Sequence, residues 1–126
     1  MRIRNSGCPW AVVCVVFVAV QLVVLYTPSP GGGGALPGTD KVVHALVFAL
    51  PVLAAGSAGR WWHWVAWTMV VHAPISEIVQ HLFLPTRSGD PWDVVADLMG
   101  VAGAAWVVRR RSRPSDDTGH VAIERR

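Results

Sequence analysis

The chain has 126 residues, of which 52% are hydrophobic and 15% charged, with a formal net charge of +3. That length fits one compact unit. The charges are gathered instead of spread, which excludes an ordinary soluble domain coated with ionic groups. Nor does the basic balance indicate nucleic acid: most of the excess lies in Arg109, Arg110, Arg111 and Arg113, directly after an apolar segment, as on the cytoplasmic flank of a membrane helix.

Four apolar segments follow one another. The first covers residues 10–26, with Arg2 and Arg4 before it and a linker containing Pro28, Pro30 and four glycines (31–34) after it. Small-x-small residues before a plausible cut are missing, so it reads as a retained helix and not as a signal peptide. The second covers residues 41–59 and ends in Gly56, Gly59 and Arg60. The third covers 61–84 and is stopped by Pro85. The fourth covers 91–108, with Pro91 suited to a first helical turn, where its missing N–H costs nothing. Segments of roughly 17–24 residues cross a hydrocarbon core of about 30 Å at about 1.5 Å per residue.

The expected fold is therefore an all-α polytopic membrane protein, a four-transmembrane-helix bundle. Residues 1–9 form a cytoplasmic N-terminus, 10–108 the membrane domain and 109–126 a disordered cytoplasmic tail without periodicity. Cys8 and Cys14 form no C-x-x-C pair, and no disulfide framework is expected. One lysine against ten arginines, with abundant Ala, Val and Gly, suggests a GC-rich bacterial genome.

The arginines set the orientation. Arg2, Arg4, Arg60, Arg109, Arg110, Arg111 and Arg113 fall on one side of a four-pass arrangement, while Lys41 and Arg87 fall on the other. The first side is then cytoplasmic, with both termini inside. Trp10, Trp61, Trp62, Trp64 and Trp106 belong to the inner interface, and Tyr26 and Trp92 to the outer one.

Polar residues inside these segments point to a site. Asp40, Lys41 and His44 lie in the first turns of the second segment, Glu77, Gln80 and His81 near the end of the third, and Asp90, Asp93 and Asp97 at the start of the fourth, all toward the outer side. Every acid outside the tail is on that side. Asp40 and His44, Glu77 and His81, and Asp93 and Asp97 are i,i+4 pairs, each on one helix face. Ala96, Gly100 and Ala104 form a small-xxx-small row on the fourth segment, which predicts that the carboxylate face packs inward. Five acids against Lys41 and Arg87 make the site acid-rich: it should hold protons, bind a cation or open to water. His63 and His72 read as structural residues.

The ordered string Asp40-Lys41-x-x-His44, Glu77-x-x-Gln80, Arg87 and Asp90-x-x-Asp93-x-x-x-Asp97-x-x-Gly100 resembles the VanZ-like family of small bacterial membrane proteins over residues 10–108. Asp97 stands where many members carry Asn, and the glycine-rich linker is longer than expected. The resemblance implies a multi-pass cell-membrane protein of the bacterial envelope; the founding member is linked to low-level resistance to the glycopeptide teicoplanin.

The leading functional expectation is an outer-leaflet site, built from Asp40, Lys41, His44, Glu77, Gln80, Arg87, Asp90, Asp93 and Asp97, for a membrane lipid or lipid-linked envelope precursor. Lys41 and Arg87 suit anionic headgroup oxygens, and the acids suit amines or hydroxyls. No cofactor, resident metal or nucleic-acid partner is expected, and a homo-oligomer is compatible. The alternatives are an acid/base enzyme working through His44 and Glu77 on a lipid-linked substrate, with a metal variant using His44, Glu77, His81 and Asp93, or a proton- or cation-coupled transporter.

Overall fold

The structure, a computed structural model, describes residues 7–28, 38–59, 61–84 and 90–113. Arg2, Arg4, Arg60, Arg87, the glycine linker and the tail from residue 114 onward lie outside the described residues. Four helices follow in order: α1 (Gly7–Tyr26), α2 (Thr39–Ala58), α3 (Trp62–Phe83) and α4 (Pro91–Arg111). Among the described residues the regular structure is entirely helical.

The helices form at the four apolar segments, with shifted ends. α1 begins at Gly7, three residues ahead of the expected start, and α4 runs on to Arg111, three residues into what the sequence suggested was tail. Cations in a last turn complement the negative end of the helix dipole. Arg110 also stacks 4.0 Å above the Trp106 ring, and Arg109 lies 6.0 Å from that of Trp62. α2 starts from Gly38, whose φ of 87° is a left-handed conformation that favours glycine.

α2 and α4 run side by side in the same direction. Lys41 meets Asp93, His44 meets Asp97, and Gly56 lies against Val108. Gly100 lets the two backbones touch: a Cβ there would overlap the Ala45 carbonyl oxygen. α3 runs antiparallel to α4, with Glu77 at the Asp90 end and Trp62 at the Arg109 end. α1 packs on α2, where the Cys14 thiol donates to the Pro51 carbonyl at 3.5 Å. The apolar core comprises Leu25, Val47, Phe48, Val52, Met69, Ala73, Val101 and Ala104.

Polarity is arranged inside-out. Val15, Val23, Trp64, Trp67, Leu82, Phe83 and Met99 are more than 60% exposed, whereas Gln21, His44, Ser76, Glu77, Gln80, Asp93 and Asp97 are buried. A water-soluble helical bundle shows the reverse. Hydroxyls on the exposed surface bond back to their own helix: Ser57 donates to the Leu53 carbonyl at 3.1 Å and Thr68 to that of Trp64 at 2.9 Å. That is how a hydroxyl is satisfied where no water is available.

Three helices, α1, α2 and α4, are long and apolar enough to cross a membrane. α3, with 22 residues, is about 33 Å long. It falls short only in composition, and three of its polar residues, Ser76, Glu77 and Gln80, are turned inward. Three such helices are consistent with a multi-pass membrane protein.

Candidate functional site

The site sits where α2 and α4 begin and α3 ends. Asp90 stops the connection entering α4: its backbone is extended, its Oδ1 accepts the Trp92 N–H at 2.9 Å, and Pro91 occupies the first helical position. This cap aims the next turns of α4, so that Asp93 and Asp97, one turn apart, both face α2. The Asp90 backbone N–H also donates to Glu77 Oε2 at 3.1 Å, which ties the end of α3 to the start of α4.

Lys41 on α2 closes the rim. Its ammonium donates to Asp90 Oδ2 at 2.8 Å and to Asp93 Oδ1 at 2.9 Å. This contact, then the Trp92 N–H, holds the Asp90 carboxyl below the usual carboxylate range.

One turn deeper, His44 is 2% exposed and ringed by four carboxylates. Its Nδ1 lies 3.1 Å from Asp97 Oδ1 and 3.8 Å from Glu77 Oε1. Its Nε2 lies 4.0 Å from both Asp40 Oδ1 and Asp93 Oδ2. Asp97 is 0% exposed and Glu77 6%. Asp97 Oδ2, Glu77 Oε1 and the Gln80 Nε2 are buried without a hydrogen-bond partner among the described residues. Such atoms are costly unless something meets them.

An apolar groove of about 330 Å³ runs between α3 and α4 and reaches this cluster. Ile78, Leu82, Pro91 and Val94 supply apolar wall, while Glu77 and His81 contribute the polar edge. Its volume is at the lower end of ligand-pocket sizes, about 300–1,000 Å³.

The structure thus brings Lys41, His44, Glu77, Asp90, Asp93 and Asp97 together. Asp40 stands at the rim, its side chain 67% exposed. Gln80 is buried near Glu77 on α3, and Arg87 lies outside the described residues. The metal set built on His81 is not assembled among the described residues. His81 faces outward on the groove, and the buried trio with donor atoms within 4.8 Å of one another is His44, Glu77 and Asp97. The i,i+4 spacing of Glu77 and His81 places both on one side of α3, but Glu77 is buried there and His81 is exposed. Ser76 is spent on the Ala73 carbonyl, 2.8 Å away.

A second polar group joins α1 to α3. His72 Nε2 lies 3.1 Å from the Tyr26 hydroxyl, and Nδ1 lies 3.4 Å from Gln21 Nε2. Tyr26, expected at the membrane interface, turns its hydroxyl into the bundle. Five residues from Glu77, His72 faces α1, as about 100° per residue requires.

Comparison with protein-family models, curated proteins and solved structures yields no match.

Proposed function

We propose that the chain is a four-pass, VanZ-like protein of the bacterial cell membrane with both ends in the cytoplasm, and that its outer-leaflet site binds a cell-envelope lipid or lipid-linked precursor. The family reading rests on the ordered polar signatures on α2, α3 and α4. The orientation rests on the arginine distribution, and α3 counts as a span because Ser76, Glu77 and Gln80 face the bundle.

The observation that carries the binding reading is the junction of a charged cluster with an apolar groove at Glu77. An amphiphile needs both. Its chain lies along Ile78, Leu82 and Val94, and its headgroup meets Lys41 and the carboxylates of Glu77 and Asp93. Headgroup amines or hydroxyls suit the acids, and one anionic oxygen suits Lys41. Such a protein alters access of a glycopeptide to envelope targets by holding or shielding the lipid.

Native mass spectrometry of protein extracted gently from its own membrane tests this reading. The wild type should retain a polyprenyl or other envelope lipid, and the Glu77→Gln/Asp93→Asn variant should lose it. Identical spectra carrying only bulk phospholipid would refute the assignment.

A further inference from the structure

We propose that His44, Glu77 and Asp97 form a buried site for a divalent first-row transition cation such as Zn2+. The inference goes beyond the lipid reading, with which it shares only Glu77, and rests on three observations.

The first is donor geometry. Zn–N and Zn–O bonds of about 2.0–2.2 Å place ligands of one ion roughly 3–3.5 Å apart. His44 Nδ1 is 3.1 Å from Asp97 Oδ1 and 3.8 Å from Glu77 Oε1, so gathering the three around an ion takes shifts of well under a side-chain rotamer. The three residues come from three helices, α2, α3 and α4, and the close α2–α4 approach at Gly100 holds two of them in register.

The second is unmet acceptor capacity. Glu77 Oε1 and Asp97 Oδ2 are both buried and accept no hydrogen bond among the described residues. Lys41 is committed to Asp90 and Asp93, so it does not serve them.

The third is charge. Two buried carboxylates face one imidazole. An imidazolium balances one of them, whereas a divalent ion on a neutral imidazole balances both. An ion at Nδ1 takes the place of the Nδ1 proton, and the ring then carries its proton on Nε2, facing Asp40 and Asp93. Those carboxylates, each 4.0 Å from Nε2, favour that tautomer through their charge and not through a direct hydrogen bond. The imidazole nitrogen favours zinc, iron or nickel over magnesium or calcium. Three protein ligands leave a fourth position, which suits a water or a ligand group. The neighbouring set Asp40, His44 and Asp93 is the weaker candidate, because Asp40 is exposed and Asp93 is neutralised by Lys41.

The test uses the full chain in detergent, stripped with chelator and titrated with Zn2+ by calorimetry. We expect one Zn2+ per chain and a raised Tm in the wild type. Asp97→Asn and Glu77→Gln should each weaken binding by at least about tenfold, and His63→Gln, at the opposite end of α3, should leave it unchanged. X-ray absorption of the zinc-loaded wild type should show one imidazole and otherwise oxygen ligands, a readout that stands even where a variant fails to fold. No saturable uptake by the wild type, uptake undiminished from wild type in both carboxylate variants, or a spectrum with sulfur or several imidazoles would overturn the site. Lipid retained in the same preparations is scored separately, so a failure of the lipid reading is distinguishable from a failure of the metal site.

Discussion

Asp90 joins three elements through three atoms, its two carboxylate oxygens and its backbone N–H. Its carboxylate caps α4 and accepts from Lys41, and its N–H binds Glu77. The depressed carboxyl pKa has a definite consequence for stability. A group whose folded pKa lies below its unfolded value contributes stability that is complete above the unfolded pKa and is lost as the pH falls through the folded one. The Tm difference between wild type and Asp90→Asn should therefore be constant at neutral pH and narrow only below the ordinary carboxylate value of 3.8. A difference independent of pH down to strong acid would show that the charge of Asp90 contributes nothing. At this scale the polar residue types and their side of the chain were readable from the sequence, because charge inside apolar segments stands out. Partner choice was not. Helical spacing places Glu77 and His81 on one side of α3, yet only the register between helices decides that Asp97, and not His81, meets His44.

The decisive contact among helices is α2 on α4. The small-residue row of α4 predicts a close approach, and the structure locates it at Gly100, where an added Cβ would overlap the Ala45 carbonyl oxygen. Backbone cannot yield as a flexible side chain does, so Gly100→Ala should force the helices apart and cost about 1–3 kcal/mol or more. Gly103 has open space where its Cβ would stand, and Gly103→Ala should be near neutral. Comparing the two thermal unfolding curves in one detergent checks this. Equal effects of the two substitutions would argue against the α2–α4 contact. Because α2 and α4 carry His44 and Asp97, Gly100→Ala should also perturb the site although an added Cβ meets Ala45 first. Helix existence was legible throughout from apolar length, punctuated by Pro91 and the glycines. Helix ends were not: α4 outruns its apolar stretch because three arginines suit a last turn, with Trp106 and Trp62 beside two of them.

For the whole molecule, the inside-out distribution of polarity and the clustering of acids at one end among the described residues are a single design. An apolar exterior confines polar chemistry to the interior, and there polar groups must satisfy one another or a ligand. α3 decides how this design sits in a membrane. Its polar residues lower its apolar character, but Ser76, Glu77 and Gln80 point inward while Trp67, Val71, Ile75 and Ile78 form the outer surface. Hydropathy along a chain cannot separate those two faces, which is why the three apolar helices are plain and the fourth span rests on orientation. The most direct measurement is labelling of single cysteines with a membrane-impermeant maleimide on intact cells, in a background lacking Cys8 and Cys14. Thr27→Cys and Leu84→Cys, at the site end, should react from outside, and Trp61→Cys and Ser112→Cys should react only after the cells are opened. Leu84→Cys and Trp61→Cys reacting from the same side would remove α3 as a span, and the reverse pattern at all four positions would place the carboxylate site in the inner leaflet; either result contradicts an outward-facing site in a four-pass bundle.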